Sequence, residues 1–256
     1  AELCDRKGTI LLFNFYMQHA LLETDAHYVD FPWRPANCIQ QTAMPDHIPA
    51  AKTFYDVTHP VRRKLHKAYI RKCLDELGYN SNVIFLISEE FTGPASFEEF
   101  WLDVAIQWEH EKGQDVHLAV SGCKDVIDTI LANPKYRAAI SSIDLRYWWY
   151  QPDGSVYAPP SGQEIPGRYV TKGAAATTAE QIYRQVKEYR LKYPQKAILH
   201  QIEASRQQSW AFLMAAGSLL VRYLEYPEKQ DPDHYIPPEE SKIILPTYRF
   251  IQRYLA

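Results

Sequence analysis

The stretch N-V-I-F-L-I-S-E-E-F-T-G, residues 82–93, decides how the rest of the chain is read. Val83, Ile84, Phe85, Leu86 and Ile87 form an unbroken apolar run between turn formers, the pattern of a strand buried on both faces of a parallel sheet. At its C-terminal end, where such a strand leaves the core, stand Glu89 and Glu90. An unpaired carboxylate is costly to bury, so a pair in that position is solvated, matched to cations, or held at a raised pKa for proton transfer. The strand is built to present charge at its exit.

Outward from this stretch, apolar runs alternate with segments of helical spacing. Strands are predicted at residues 9–15, 116–120, 139–145 and 196–200, in addition to 83–87. A short helix is expected to close at Gly8. Another starts at His59-Pro60 with Thr58 as its cap and stops at Gly78. A third is capped by Ser96 and stopped by Gly113, a fourth spans 125–132, and a fifth follows Thr178. Residues 210–223 read as an apolar helix, and 239–255 as a last helix bent at Pro246. Residues 21–56 carry four prolines and the rings of Tyr28, Phe31, Trp33, Phe54 and Tyr55. A loop so long and so aromatic is expected to be ordered and to roof a cleft. Residues 152–173, rich in Pro and Gly, form a second long loop.

Regular alternation of strand and helix signals parallel βαβ units, either a (β/α)8 TIM barrel or an open doubly wound sheet. No G-x-G-x-x-G follows a strand and no G-x-x-x-x-G-K-[ST] occurs, which disfavours a nucleotide-binding sheet. The five strands counted are fewer than a closed barrel needs. The opening residues resemble the end of a helix already under way, so the expectation is an incomplete barrel, its first one or two strands lying upstream in a longer protein. One domain is expected over residues 1–256.

The 256 residues are 46% hydrophobic and 23% charged, with a net charge of -3, enough for one large core but without a basic footprint for nucleic acid. No apolar run reaches the roughly 20 residues that span a bilayer. Neither nucleic acid nor membrane is expected as a partner. Cys4, Cys38, Cys73 and Cys123 lack CxxC spacing and are read as free thiols.

In a barrel the functional groups gather at the C-terminal ends of the strands. The predicted exits offer Asn14, Gln18 and His19; Glu89 and Glu90; Ser121; Asp144, Arg146, Tyr147, Trp148 and Trp149; and His200, Glu203 and Arg206. Rings stack on the apolar faces of sugars while amides, hydroxyls and charges bind sugar hydroxyls. Acidic pairs also perform glycosidic chemistry, one carboxyl protonating the leaving oxygen and the other attacking the anomeric carbon or activating water. Asp144 is the reserve nucleophile. Glu98, Glu99, Glu109 and Glu111 read as a solvated helix face, and His59 and His66 as structural or exposed.

The segment at 82–93 resembles the fourth-strand motif of retaining (β/α)8 glycoside hydrolases of the clan-A type, which usually ends in Asn-Glu. K-A-I-L-H-Q-I-E, residues 196–203, is similar to the seventh-strand motif of the same group. S-R-Q-Q-S-W-A-F-L-M-A-A-G-S after it looks like the R-x-x-x-W-x-x-x-x-A-G helix of bacterial polysaccharide-degrading members, including the apiosidase-like branch. The resemblance implies Glu90 as acid/base and Glu203 as nucleophile. Asn14, His19, Glu89, Asp144, Arg146, Trp149 and His200 would bind the substrate, an oligosaccharide or polysaccharide. It further implies no metal or organic cofactor, and a periplasmic or extracellular location. Two departures stand out: Glu89 replaces the usual Asn, and Glu203 lies one position later than in K-P-x-x-x-x-E, with no Gly after it. They keep open a catalytically inactive carbohydrate-binding barrel. A metal-dependent hydrolase using His19, His200, Glu89 and Asp144 finds no H-x-H or H-E-x-x-H in its support.

Overall fold

The computed structural model describes residues 1–23, 25–89, 91–162, 177–201, 206–221 and the single positions 246, 249 and 253. The chain divides into two compact units, Ala1–Val221 and Arg222–Ala256. The elements below belong to the first.

The fold is α/β. Six strands form one sheet: β1 (Leu11–Met17), β2 (Val83–Glu89), β3 (His117–Ser121), β4 (Ile140–Asp144), β7 (Ala197–Gln201) and β8 (Leu219–Val221). Every pairing is parallel and the strands lie side by side in the order in which they occur along the chain. A doubly wound sheet reverses its strand order at a switch point; among the described residues this sheet has none, and it does not close on itself. A two-stranded antiparallel hairpin, β5 (Trp149–Tyr150) with β6 (Val156–Tyr157), rises from the connection after β4.

Strand β2 is buried on both sides, as its apolar run predicts. Val83, Phe85 and Ile87 pack into the large core under the helices, together with Phe15, Leu118, Val120, Ile143 and Ile198. Leu86 points the other way and joins Ala119 and Leu199, with Leu12 and Ile84 against them. Leu199 belongs to β7, and β4 separates it from β3. In a flat sheet two spacings of about 4.8 Å hold such side chains roughly 9.6 Å apart, twice a contact distance. Their clustering means that the sheet is concave on this face.

Helix α5 (Pro60–Leu77) and helix α6 (Ala95–Lys112) flank β2 in sequence. The cap of α5 is His59 rather than Thr58: its side chain accepts from the Arg62 N–H, while Thr58 donates to Asp56. Pro94, not Ser96, occupies the cap position of α6, and Gly113 ends that helix at φ 62, a left-handed turn open to glycine. Thr178 does cap its helix (Ala179–Lys192), in a reciprocal box with Gln181. The expected helix at 210–223 is instead a helix over Arg206–Met214 followed by β8. No described helix is long and apolar enough to cross a membrane.

The long segment after β1 is ordered. It contains short helices α2 (His19–Leu22), α3 (Asp25–Val29) and α4 (Ala51–Phe54), and it buries Tyr28, Phe54 and Tyr55. His66 of α5 pins it down: its Nε2 lies 2.8 Å from the Phe54 carbonyl and its Nδ1 2.9 Å from the Tyr16 hydroxyl, with Trp33 packed on the ring at 4.3 Å. Nε2 therefore donates to the carbonyl, and in the neutral imidazole Nδ1 accepts from the Tyr16 hydroxyl. Burial first, and the Arg62 charge after it, push its pKa down to about 4.

Candidate active site at the strand exits

All six strands run in one direction, so their C-terminal ends share one rim. Register places Met17 beside Glu89 and Ser121 beside Asp144 along that rim. Asn14 pairs with Leu86 in the register of β1 and β2 and, by alternation, shares the concave face with Leu12.

The best-defined chemistry lies at the ends of β3 and β4. The Ser121 hydroxyl donates to Asp144 Oδ2 at 2.9 Å, and the Ser121 backbone N–H donates to Glu98 Oε1 at 3.2 Å. All three residues are fully buried. One serine thus links two carboxyl groups inside the protein. Burial, and then the charge of Asp144, raise Glu98 well above the usual carboxylate range, against the opposing pull of the Ser121 N–H. Ionising Glu98 beside Asp144 is disfavoured there, so its carboxyl is held toward the neutral form. The expectation of a solvated Glu98 is corrected: it lies on one helical stripe with the buried Leu102 and Ala105. That i, i+4, i+7 spacing is the signal in the sequence that marks it.

After β4, Arg146 is nearly buried and lies 5.4 Å from the Tyr147 ring. Trp148 is sealed, with the Lys124 ammonium 4.8 Å from its ring. Trp149 is nearly buried too, because Tyr157 stacks on it at 4.2 Å. The half-exposed ring of that pair is Tyr157, a residue the sequence reading did not select. His200 alternates to the helix side of β7, next to Phe212 at 6.2 Å, rather than to the concave face with Leu199. Burial, then the Arg146 charge, push its pKa down to about 3, so it is a neutral imidazole.

At the β1 and β2 exits, the Gln18 side chain donates to Thr92 Oγ1 at 2.8 Å and accepts from the Thr92 N–H at 3.1 Å. The segment that follows Glu90 is therefore clamped to β1's exit by an amide held in both directions. Phe91 between them is buried, and a Cβ placed on Gly122 would sit 3.3 Å from its ring. His19 begins α2, its Nδ1 3.1 Å from the Glu23 carboxylate and its ring 4.8 Å from His27. Glu90 and Glu203 themselves, and the side chain of Glu89, lie outside the described residues.

Beside the clamp, between α4 and the start of α6, opens a cleft of about 320 Å³. Ala51, Tyr55, Val57, Gly93 and Pro94 form its walls, with Lys52, Thr58 and Ser96 on its rim. Among the described residues no group of three or more His, Cys, Asp or Glu is placed to hold a metal ion.

The family model described as "Domain of unknown function (DUF6298)" matches residues 1–231. No curated protein and no solved structure matches the chain.

Proposed function

As a member of the DUF6298 family the chain inherits no reaction from that description, and from its own geometry we propose a retaining glycoside hydrolase on a (β/α)8 barrel, acting on plant or microbial polysaccharide outside the cytoplasm. The observation that carries the reading is the concave, sequentially ordered parallel sheet. Glu90 directly follows the last residue of β2, and Glu203 comes two residues after the end of β7. Three strand spacings separate β2 from β7, about 14 Å in a flat sheet. Retention requires carboxyl groups about 5 Å apart, and inversion roughly 6.5–9.5 Å. Only curvature brings two such exits within that reach, and the clustering of Leu199 with Leu86 and Ala119 supports it.

In this mechanism the Glu203 carboxylate attacks the anomeric carbon while the Glu90 carboxyl gives its proton to the departing oxygen. Water, losing its proton to Glu90, then displaces Glu203 and restores both groups. Asn14, His19, Glu89, Asp144, Arg146, Trp149 and His200 belong to the surrounding shell in this reading. Trp149 would act through Tyr157, which covers it, and His200 through Arg146, from behind the strand.

Replacing Glu90 with Gln is expected to abolish turnover of natural glycosides while largely sparing aryl glycosides whose leaving groups need no proton. Equal loss on both substrates would remove the acid role. Glu89, standing where the resembled motif has Asn, favours a second reading, a barrel that binds glycans without cleaving them. Calorimetric binding of oligosaccharides by the native chain with no product formed would establish that reading instead.

A further inference from the structure

The cleft beside the Gln18–Thr92 clamp has no part in the mechanism above. We propose that it is a binding subsite for one uncharged sugar ring of the same glycan, adjacent to the unit that meets Glu90; this rests on the glycan-cleaving reading. Its volume of about 320 Å³ stands at the low end of ligand pockets, which run about 300–1,000 Å³, and suits a single ring rather than a chain.

The lining fits the two surfaces of a sugar. Ala51, Val57 and Pro94 offer carbon for the apolar face of the ring; at the mouth the exposed Ser96 offers a hydroxyl, and the exposed Thr58, whose proton goes to Asp56, offers an acceptor oxygen. The carboxylate in the wall, Asp56, is already matched, by Arg62 at 2.8 Å and by the Thr58 hydroxyl at 2.6 Å. The cleft thus presents no unmet negative charge that would call for a cationic ligand, and Lys52 on its rim is itself engaged in an interaction within the protein. Its floor is fixed to the catalytic rim. Thr92, two residues after Glu90, lines the cleft, is held by Gln18 at 2.8 and 3.1 Å, and accepts from the Gly162 N–H at 2.7 Å. A unit seated here lies one short step along the chain from the exit of β2.

Two variants test the subsite, Ser96→Phe and Thr58→Tyr, both at exposed positions where a larger ring blocks the mouth without entering the core. The native chain and both variants would be titrated with xylo-, gluco- and galacto-oligosaccharides of two to six units and with hexagalacturonate, and assayed on para-nitrophenyl monoglycosides. Affinity for the bound hexasaccharide is expected to fall about tenfold or more, with monoglycoside turnover unchanged. Hexasaccharide binding that survives both variants while products still form overturns the subsite and leaves the hydrolase standing. Loss of binding in the variants when the native chain forms no product supports the subsite and overturns the hydrolase. A native chain that binds no member of the series overturns the subsite, and tighter binding of hexagalacturonate overturns its preference for an uncharged ring.

Discussion

Two buried residues, His66 and Glu98, bias the stability of this protein with pH in opposite directions. His66 titrates at about 4 in the folded chain against about 6.5 when unfolded. Between those values the unfolded chain holds more protons, so acidification from pH 6.5 toward 4 removes stability, by roughly 3 kcal/mol at most. His66→Gln retains a donor for the Phe54 carbonyl and an acceptor for Tyr16. Urea titrations across that interval should give a visibly flatter profile for it, with His200 supplying what slope remains. Glu98 acts the other way. Its folded pKa is raised, so its burial is harmless below about 4.5 and costs stability as the pH rises above that. Glu98→Gln keeps an oxygen for the Ser121 N–H, and its melting temperature at pH 8 should exceed that of the native chain; a lower one would show that the ionised carboxylate is needed. Neither role was plain in the sequence. His66 is one imidazole in a helix whose other face is charged, and Glu98 sits in a run of acids, Glu99, Glu109 and Glu111, that do not share its full burial.

At the scale of elements, strands announced by unbroken apolar runs were legible, and so was the Thr178 capping box. Caps chosen by residue type alone were not: Ser96 and Thr58 are good capping residues, yet His59 and Pro94 stand where the chain turns. The sixth strand was hidden for a different reason. Residues 210–221 are nearly all apolar, and such a run suits a buried helix and a buried strand equally. The break is made by Ala216, at φ 67, and Gly217, whose N–H donates to the Phe212 carbonyl at 2.9 Å. A Cβ on Gly217 would lie 2.3 Å from the ring of the fully buried Phe212. Gly217→Ala should therefore cost about 1–3 kcal/mol, the usual penalty of overpacking, read as a lower urea midpoint. An unchanged midpoint would show that Phe212 has room to swing aside.

For the molecule as a whole, alternation announced an α/β chain but left barrel and doubly wound sheet open, because both alternate. What separates them is which strands pair, and pairing between strands buried on both faces leaves no polar stripe to read. The order of the aromatic segment after β1 was legible, since rings such as Phe54 and Tyr55 are too costly to leave in water over so long a loop. The serine bridge between Glu98 and Asp144 was not, because it joins residues 46 positions apart through a third. The strand order carries one more consequence. Since each strand of the sheet pairs with the one made just before it, a ribosome releasing this chain delivers every new strand to a finished neighbour. Assembly can then advance with synthesis, each described strand after β1 finding its neighbour already in place.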